Sequence, residues 1–463
     1  MKLSKLLRRL CGSLLLITVG STVLAASNPN IIIILADDLG YGDLGCYGHP
    51  SIRTPNLDRM AAEGLRFTEF YAGQSYCTPS RAALLTGRLA VRSGVAGRPG
   101  PGLHVFYPKD TGGLPPEEIT IARALKTRGY ATACIGKWHL GHQPQFLPTS
   151  HGFDYFFGLP YSNDMDALSP KIRNEDSDGQ SPDFRNFKVA LLRNLEVIER
   201  PADQTTLTKR YTEEAVKFIK ANRNQPFFLY FPHTFPHVPL FASERFKGKS
   251  ARGLYGDTVE ELDWSVGQVL DALRDTKLEK QTLVFFTSDN GPWLQKQLNG
   301  GSAGLLRDGK GGTWEGGYRV PAIARWPGKI KPGVTGALAS ALDLFNTSLT
   351  LAGAELPKDR PLDGVDMSPI LLGRGKSLRD VHFYYLGDEP FAVRQGAFKA
   401  HFLTHETYGK VEPRKNDPPL LYNLLEDPGE RFDLAGSQPK IVAALTKLYL
   451  EHKATITRGK LQF

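Results

Sequence analysis

Cysteine is scarce, four residues in a chain of 463. A small scaffold held together by disulfides is therefore excluded. Lysine–arginine blocks and the Cys/His spacings of zinc fingers are missing, and with them the usual footprints of nucleic-acid binding. Internal repeats and low-complexity tracts are missing too. Long apolar runs are confined to one N-terminal stretch, Ser13 to Leu24, short of the ~20 residues that a membrane span requires. What is present is ordinary for a folded chain: 41% hydrophobic and 23% charged residues, too apolar for general disorder. The 47 glycines and 32 prolines suggest many ordered loops on a compact scaffold. The length argues for one large domain with a smaller partner, the proportions of an enzyme.

The N-terminal stretch opens with Lys2, Lys5, Arg8 and Arg9 and closes with Val23-Leu24-Ala25-Ala26. A basic start, a short apolar core and small terminal residues read as a secretory signal peptide over residues 1–26, cleaved near Ala25 or Ala26. Cys11 precedes the apolar run and so is not placed for lipid attachment. The expected product is exported, periplasmic or secreted, with no stable membrane insertion. Cleavage removes four cations and no acid from a net charge of +9. The remaining chain is mildly basic, which suits polyanions such as sulfated or phosphorylated glycans. Cys46, Cys77 and Cys134 stay behind, an odd number for an oxidising compartment, so one of the three is expected to have a chemical role.

Four apolar runs each end in a polar cluster. Asn30–Ala36 leads into Asp37-Asp38, Ala131–Gly136 into Lys137-Trp138-His139, Pro226–Phe231 into His233 and His237, and Thr282–Thr287 into Ser288-Asp289-Asn290-Gly291. Continuous rather than alternating hydrophobicity predicts strands buried on both faces of a parallel sheet. Helical periodicity between them, over Thr208–Ala221 and Thr258–Leu273, predicts an α/β fold. In such sheets the site forms beyond the carboxyl ends of the strands, where all four clusters sit. After about Gly375 the pattern changes to short strands at 381–385, 391–394, 398–402 and 418–424 and a closing helix from Gln438 to His452. This predicts a small antiparallel sheet plus helix. The domains are placed at 27–375 and 376–463.

Asp37, Asp38, Asp289 and Asn290 are short oxygen donors at strand ends. Each pair alone fits turn capping. Two pairs on two equivalent strand ends, without a His/Cys set, point to Ca²⁺ or Mg²⁺. Cys77 precedes Thr78-Pro79-Ser80-Arg81 and a helix-forming run. With Pro79 at the first helical position, Cys77 falls at a helix N-terminus, which favours anions. A buried free thiol and a thiolate activated by Arg81 both remain open there. Lys137 with His139, His237, and Lys310 in a glycine-rich loop would add a general acid, a general base and two anion clamps. His142, His151 and His233 read as structural.

Cys-Thr-Pro-Ser-Arg at 77–81 followed by Leu-Thr-Gly-Arg at 85–88 resembles the two-part signature of the type I, formylglycine-dependent sulfatases. The likeness extends through Ala36–Asp43, Gly136–Gly141 and Ser288–Gly291 over nearly all of the chain after residue 26. Within that family it is similar to the arylsulfatase A branch through Pro160-Tyr161-Ser162. It is similar to the N-acetylgalactosamine-6-sulfatase branch through Pro144-Gln145-Phe146 and Asp427–Phe432. The resemblance implies an alkaline-phosphatase-like fold: a large mixed sheet flanked by helices, with a small C-terminal four-stranded antiparallel domain. It implies that a separate formylglycine-generating enzyme oxidises Cys77 (to 3-oxoalanine). Asp37, Asp38, Asp289, Asn290 and the modified Cys77 would then hold Ca²⁺, and Arg81 would support the aldehyde hydrate. Lys137, Lys310 and Ser162 would bind sulfate. His237 would protonate the leaving oxygen, preferred over His233 because Pro-His-x-Pro fits the family better, and His139 would deprotonate the hydrate.

The implied activity is sulfate-ester hydrolysis, exo-acting on sulfated galactose or N-acetylgalactosamine units of glycans. The 6-O-sulfate is favoured, and aryl sulfates serve as surrogates. Two alternatives stand beside it: a phosphate or phosphonate ester hydrolase of the same superfamily, and a non-catalytic sulfated-glycan-binding protein. Loops at 91–113, 292–312 and 401–415 are expected to border the pocket.

Overall fold

The computed structural model describes residues 28–97, 104–169, 172, 181–406 and 412–463. The expected signal peptide and parts of two expected pocket loops (98–103 and 407–411) lie outside these residues. Among the described residues no helix is long and apolar enough to cross a membrane.

The four apolar runs are strands: Asn30–Ala36, Ala131–Ile135, Phe227–Pro232 and Thr282–Ser288. Their lack of alternation has a direct physical cause. Ile31, Ile33 and Leu35 enter one core while Ile32, Ile34 and Ala36 enter another, and Phe285 and Phe286 divide in the same way. Side chains alternate across the sheet, but both faces are covered, so every position must be apolar. Cutting Ile32 or Ile33 back to alanine in such a strand costs ~2–5 kcal/mol.

These strands lie side by side and parallel, in the order 282–288, 30–36, 227–232, 131–135, at the centre of a ten-stranded sheet. The sheet is mixed. On one side Ala322–Arg325 joins antiparallel, followed by Leu65–Phe67 and Gly333–Thr335. On the other, Tyr155–Gly158 joins parallel and the hairpin Leu191–Arg193/Glu196–Glu199 closes the edge. Helices Leu207–Ala221 and Gly253–Asp275 cover one face. Cys77–Thr86, Ile121–Lys126 and Asp343–Leu351 cover the other. Gly253–Asp275 starts earlier than its periodicity predicted, because Leu254 and Tyr255 extend its buried face.

The C-terminal part is the expected antiparallel sheet, Val381–Leu386, Glu389–Gln395, Phe398–Thr404 and Arg414–Asn423 in sequential order. Helix Pro439–Thr455 packs Leu445 and Tyr449 on Val393, Ala400 and Leu421. A buried polar joint ties this sheet to the large domain. Arg394 pairs with Glu69 at 2.5 Å, and Lys399 reaches Glu315 at 3.1 Å and Glu430 at 3.0 Å.

Candidate active site

Ala36 stands opposite Ser288 in the parallel ladder, and Leu35 opposite Pro232. Parallel strands that end in register deliver their following residues to one edge. Asp37-Asp38 and Asp289-Asn290 therefore meet. The Asp38 amide donates to Asp289 Oδ1 at 3.2 Å, and Asn290 Nδ2 donates to Asp38 Oδ1 at 2.7 Å.

Cys77 comes to this edge from the helix Cys77–Thr86, whose ten residues are all buried. The helix begins at Cys77 itself, so Pro79 occupies its third rather than its first position. Cys77 Sγ lies 3.4 Å from Asp37 Oδ1, 3.9 Å from Asp38 Oδ1 and 3.5 Å from Lys310 Nζ. Burial, and then the Asp37 charge, push its thiol well above the usual range, which favours the protonated thiol over a thiolate. Arg81 makes its hydrogen bonds from Nε and Nη1 elsewhere. It turns to the carboxylates, with Nε 2.8 Å from Asp289 Oδ2 and Nη2 3.4 Å from Asp37 Oδ2, and donates to the Lys137 carbonyl at 2.6 Å.

Ligand atoms of Asp37, Asp38, Asp289 and Cys77 all lie within 4.8 Å of one another. The carboxylates differ in how well they are compensated. Burial opposes ionisation of Asp37, but Lys137, Arg81 and Lys310 outweigh it and hold that carboxyl below its usual range. Burial raises Asp38 despite Lys310. Burial and the Asp37 charge push Asp289 up to about 7 despite Arg81. Asn290 Oδ1 is buried without a hydrogen-bond partner among the described residues. A buried cluster of hard oxygens, with a carbonyl oxygen beside it that lacks a partner among the described residues, fits a divalent cation of the Ca²⁺ or Mg²⁺ type.

Lys137, His139 and Lys310 border the same cluster. After Ile135 the chain turns at Gly136, with φ +129° and no room for a side chain: a Cβ there would stand 1.8 Å from the Pro232 carbonyl. Lys137 then pairs with Asp37 and donates to Ser162 Oγ at 3.1 Å. His139, itself at φ +61°, places Nε2 3.1 Å from the Phe106 carbonyl. A carbonyl only accepts, so Nε2 carries the proton and Nδ1 holds the lone pair. That Nδ1 is buried and finds no hydrogen-bond partner among the described residues. Burial, then Lys137 and Arg81, hold the imidazole well below its usual pKa, so it is neutral.

His237 places Nδ1 2.5 Å from the Val238 carbonyl and 3.5 Å from Ser162 Oγ, with Nε2 3.7 Å from Asp38. Burial, then Lys310 and Lys137, also lower its pKa well below the usual value. His233 instead lies against Phe231, with Nε2 3.4 Å from Ser265 Oγ on the helix Gly253–Asp275. Lys310 Nζ is 2.8 Å from Asp38 Oδ2. His142 and His151 pack against Tyr161 and Trp138.

Asp37, Asp38, Cys77, Arg81, Lys137, His139, Ser162, His237, Asp289, Asn290 and Lys310 are thus buried neighbours at one edge of the sheet, whereas His233, His142 and His151 pack elsewhere. Sequence reasoning missed several neighbours. Trp293 lies 5.6 Å from the His237 ring and 4.6 Å from Lys310 Nζ. The Phe106 carbonyl holds His139. His405 Nδ1 lies 2.9 Å from the Gly311 carbonyl, and Lys399 donates to the Thr313 carbonyl at 3.2 Å, steadying the Lys310 loop from the C-terminal sheet. Only membership of the expected border loops pointed to Trp293, Phe106 and His405.

Fold and site together define an enzyme of the alkaline-phosphatase-like α/β class, with lysines and a histidine set directly against a carboxylate cluster. The chain belongs to the sulfatase family: residues 29–354 match the Sulfatase family and residues 377–463 match the C-terminal region of aryl-sulfatase. It is 46% identical over 478 residues to arylsulfatase A of Homo sapiens, covering 97% of this chain and 93% of that protein. It is 42% identical over 474 residues to N-acetylgalactosamine-6-sulfatase of Sus scrofa, covering 95% and 88%. Among solved structures, a sulfatase from Pseudoalteromonas sp. superposes with a TM-score of 0.81 at 32% identity, over 92% of this chain and 90% of that one. The reaction class is therefore sulfate-ester hydrolysis.

Proposed function

We propose that this enzyme is an exported, exo-acting sulfatase of sulfated galactose or N-acetylgalactosamine units in glycans, with the 6-O-sulfate preferred. The observation that carries the mechanism is the placement of Cys77 Sγ between Asp37 Oδ1 and Lys310 Nζ, at 3.4 and 3.5 Å, inside the carboxylate cluster. The sugar preference rests on the likeness to N-acetylgalactosamine-6-sulfatases.

Oxidised to formylglycine by a maturation enzyme and hydrated, residue 77 would supply one hydroxyl to attack sulfur as the bond from sulfur to the alcohol oxygen breaks, and a second whose deprotonation would break the C–O bond to sulfate and restore the aldehyde. Asp37, Asp38, Asp289 and Asn290 would hold Ca²⁺, which supplies positive charge beside the nucleophile and the sulfate oxygens. The chain's own groups do the rest. The six charged side chains Asp37, Asp38, Asp289, Arg81, Lys137 and Lys310 balance as three acids and three bases. A divalent cation therefore leaves the site positive enough for a departing sulfate dianion. Lys137, Lys310 and Ser162 hold sulfate oxygens and fix them for in-line attack. Burial, and after it Lys310 and Lys137, hold His237 neutral; an anionic ester beside the two lysines offsets their part of this, so that His237 takes up a proton with substrate and gives it to the leaving sugar oxygen. His139, with Nε2–H fixed by Phe106, accepts the second hydroxyl's proton at Nδ1.

The test is sulfate release from a panel of sulfated monosaccharides, with the 6-phosphate of the preferred sugar as a further arm. Preferential release from 6-sulfated galacto-sugars supports the proposal. Release from another regiochemistry sinks the sugar assignment, and faster phosphate than sulfate release sinks the sulfatase specificity.

A further inference from the structure

The segment that follows helix Pro439–Thr455 returns across the large domain. The Gly459 amide donates to the Val91 carbonyl at 2.8 Å and the Gln462 amide to the Gly94 carbonyl at 3.1 Å. The approach leaves no space for side chains. A Cβ at Gly94 would stand 1.8 Å from the Lys460 carbonyl oxygen, and one at Gly112 1.5 Å from that of Gln462. The segment sets the Phe463 ring on Phe106, with centroids 4.3 Å apart and planes 17° from parallel.

Phe106 is 2% exposed, and its backbone faces the site from both ends. Its amide donates to Thr78 Oγ1 at 3.3 Å, beside Cys77, and its carbonyl accepts from His139 Nε2 at 3.1 Å. Thr78 Oγ1 in turn donates to the His139 carbonyl at 2.9 Å. Phe463, Phe106 and His139 therefore form one continuous chain of contacts from the C-terminal segment to the catalytic edge of the sheet.

We propose that Phe463 is a positioning residue for His139: stacked on Phe106, it fixes the carbonyl that keeps His139 protonated at Nε2 with its Nδ1 lone pair turned to the site. This rests on the role given to His139 above. An imidazole whose Nε2 partner drifts redistributes its proton between the two nitrogens, and the basic lone pair is then lost from Nδ1 for part of the time. Departure of the alcohol does not use His139, whereas expulsion of sulfate does. Loss of the stack therefore slows the second half of the reaction selectively.

Wild type, Phe463→Ala and Phe463→Tyr, each matured with a formylglycine-generating enzyme, are mixed with 4-nitrophenyl sulfate, and nitrophenol and sulfate are followed separately. The expected result for Phe463→Ala is a burst of nitrophenol near one per site. Steady turnover then falls roughly 10- to 100-fold, KM falls with kcat, and a sulfo group is retained at residue 77 by mass spectrometry. Phe463→Tyr keeps the stack and restores turnover. Nitrophenol and sulfate falling in step, with no retained sulfo group, overturns the proposal, as does an unchanged Phe463→Ala. Imidazole ¹⁵N spectra of histidine-labelled protein read the same claim without turnover: His139 is Nε2–H in wild type and mixed in Phe463→Ala. Identical spectra also overturn it. A wild type that releases no sulfate counts against the proposed function, while the spectra still decide the role of Phe463.

Discussion

Arg81 Nε donates to Asp289 Oδ2 across 2.8 Å in a pair with no solvent exposure. This contact joins the helix that carries Cys77 to the strand end that carries half of the carboxylate cluster. It also explains why an arginine sits inside a helix buried on every side. Removing it leaves Asp289 and Asp37 short of compensation. Arg81→Met is expected to destabilise the protein by ~3–5 kcal/mol, measured by denaturant unfolding, with calcium restoring part of the loss. A change within ~0.5 kcal/mol, the range of an ordinary surface substitution, contradicts this account.

The cation prediction follows from the raised Asp289 and the orphaned Asn290 Oδ1. Calcium raises the unfolding midpoint, by ~2.7 kcal/mol of stability at a hundredfold excess over Kd, and a chelator reverses it. Asn290→Ala shifts the response to higher calcium. A midpoint indifferent to both calcium and magnesium removes the metal from the mechanism.

His237 is predicted to matter in proportion to how badly the leaving group needs a proton. For a sulfated sugar, His237→Ala lowers kcat/KM by ~10²–10⁴. For 4-nitrophenyl sulfate, whose phenolate leaves unaided, the loss is far smaller. Equal losses on both substrates assign the proton elsewhere, and the comparison requires only steady-state rates.

The joint between the two sheets has its own pH signature. Burial opposes ionisation of Glu315, but Lys399, then Arg319 and Arg394, outweigh it and hold the carboxyl down to about 2 against an ordinary 4.5. A depressed carboxyl stabilises the fold fully above the unfolded pKa and loses that contribution as pH falls toward the folded one. The contribution is on the order of 3 kcal/mol. Glu315→Gln is therefore least stable relative to wild type above pH 5, and the gap narrows toward pH 3. A gap that does not change with pH contradicts the ionised pair.

Much of this was legible in the chain because the central strands have no solvent face. The run Ile31–Ile34 announces burial on both sides, and a polar pair directly after it has nowhere to go but the strand end. Cys77-Thr78-Pro79-Ser80-Arg81 is local in sequence, and so was its helix. The remainder depends on contacts between distant segments. Arg81 lies four residues from Cys77, but nothing local shows that Asp289, 208 positions on, takes its Nε. Phe463 on Phe106 and Lys399 under the Lys310 loop follow no periodicity, since single side chains at domain crossings leave none. Trp293 follows Pro292 in a border loop, and only the fold reveals that it stands beside both His237 and Lys310.

The central claim is that residue 77, as formylglycine, transfers sulfate between the flanking lysines. The most direct measurement is sulfate release from a 6-sulfated galacto-sugar by enzyme matured with a formylglycine-generating enzyme, with the oxidation state of residue 77 read by mass spectrometry in the same sample. The account predicts release in proportion to the fraction of formylglycine, and none from Cys77→Ala or from unmodified protein. Sulfate release by protein whose Cys77 is wholly unmodified would contradict it.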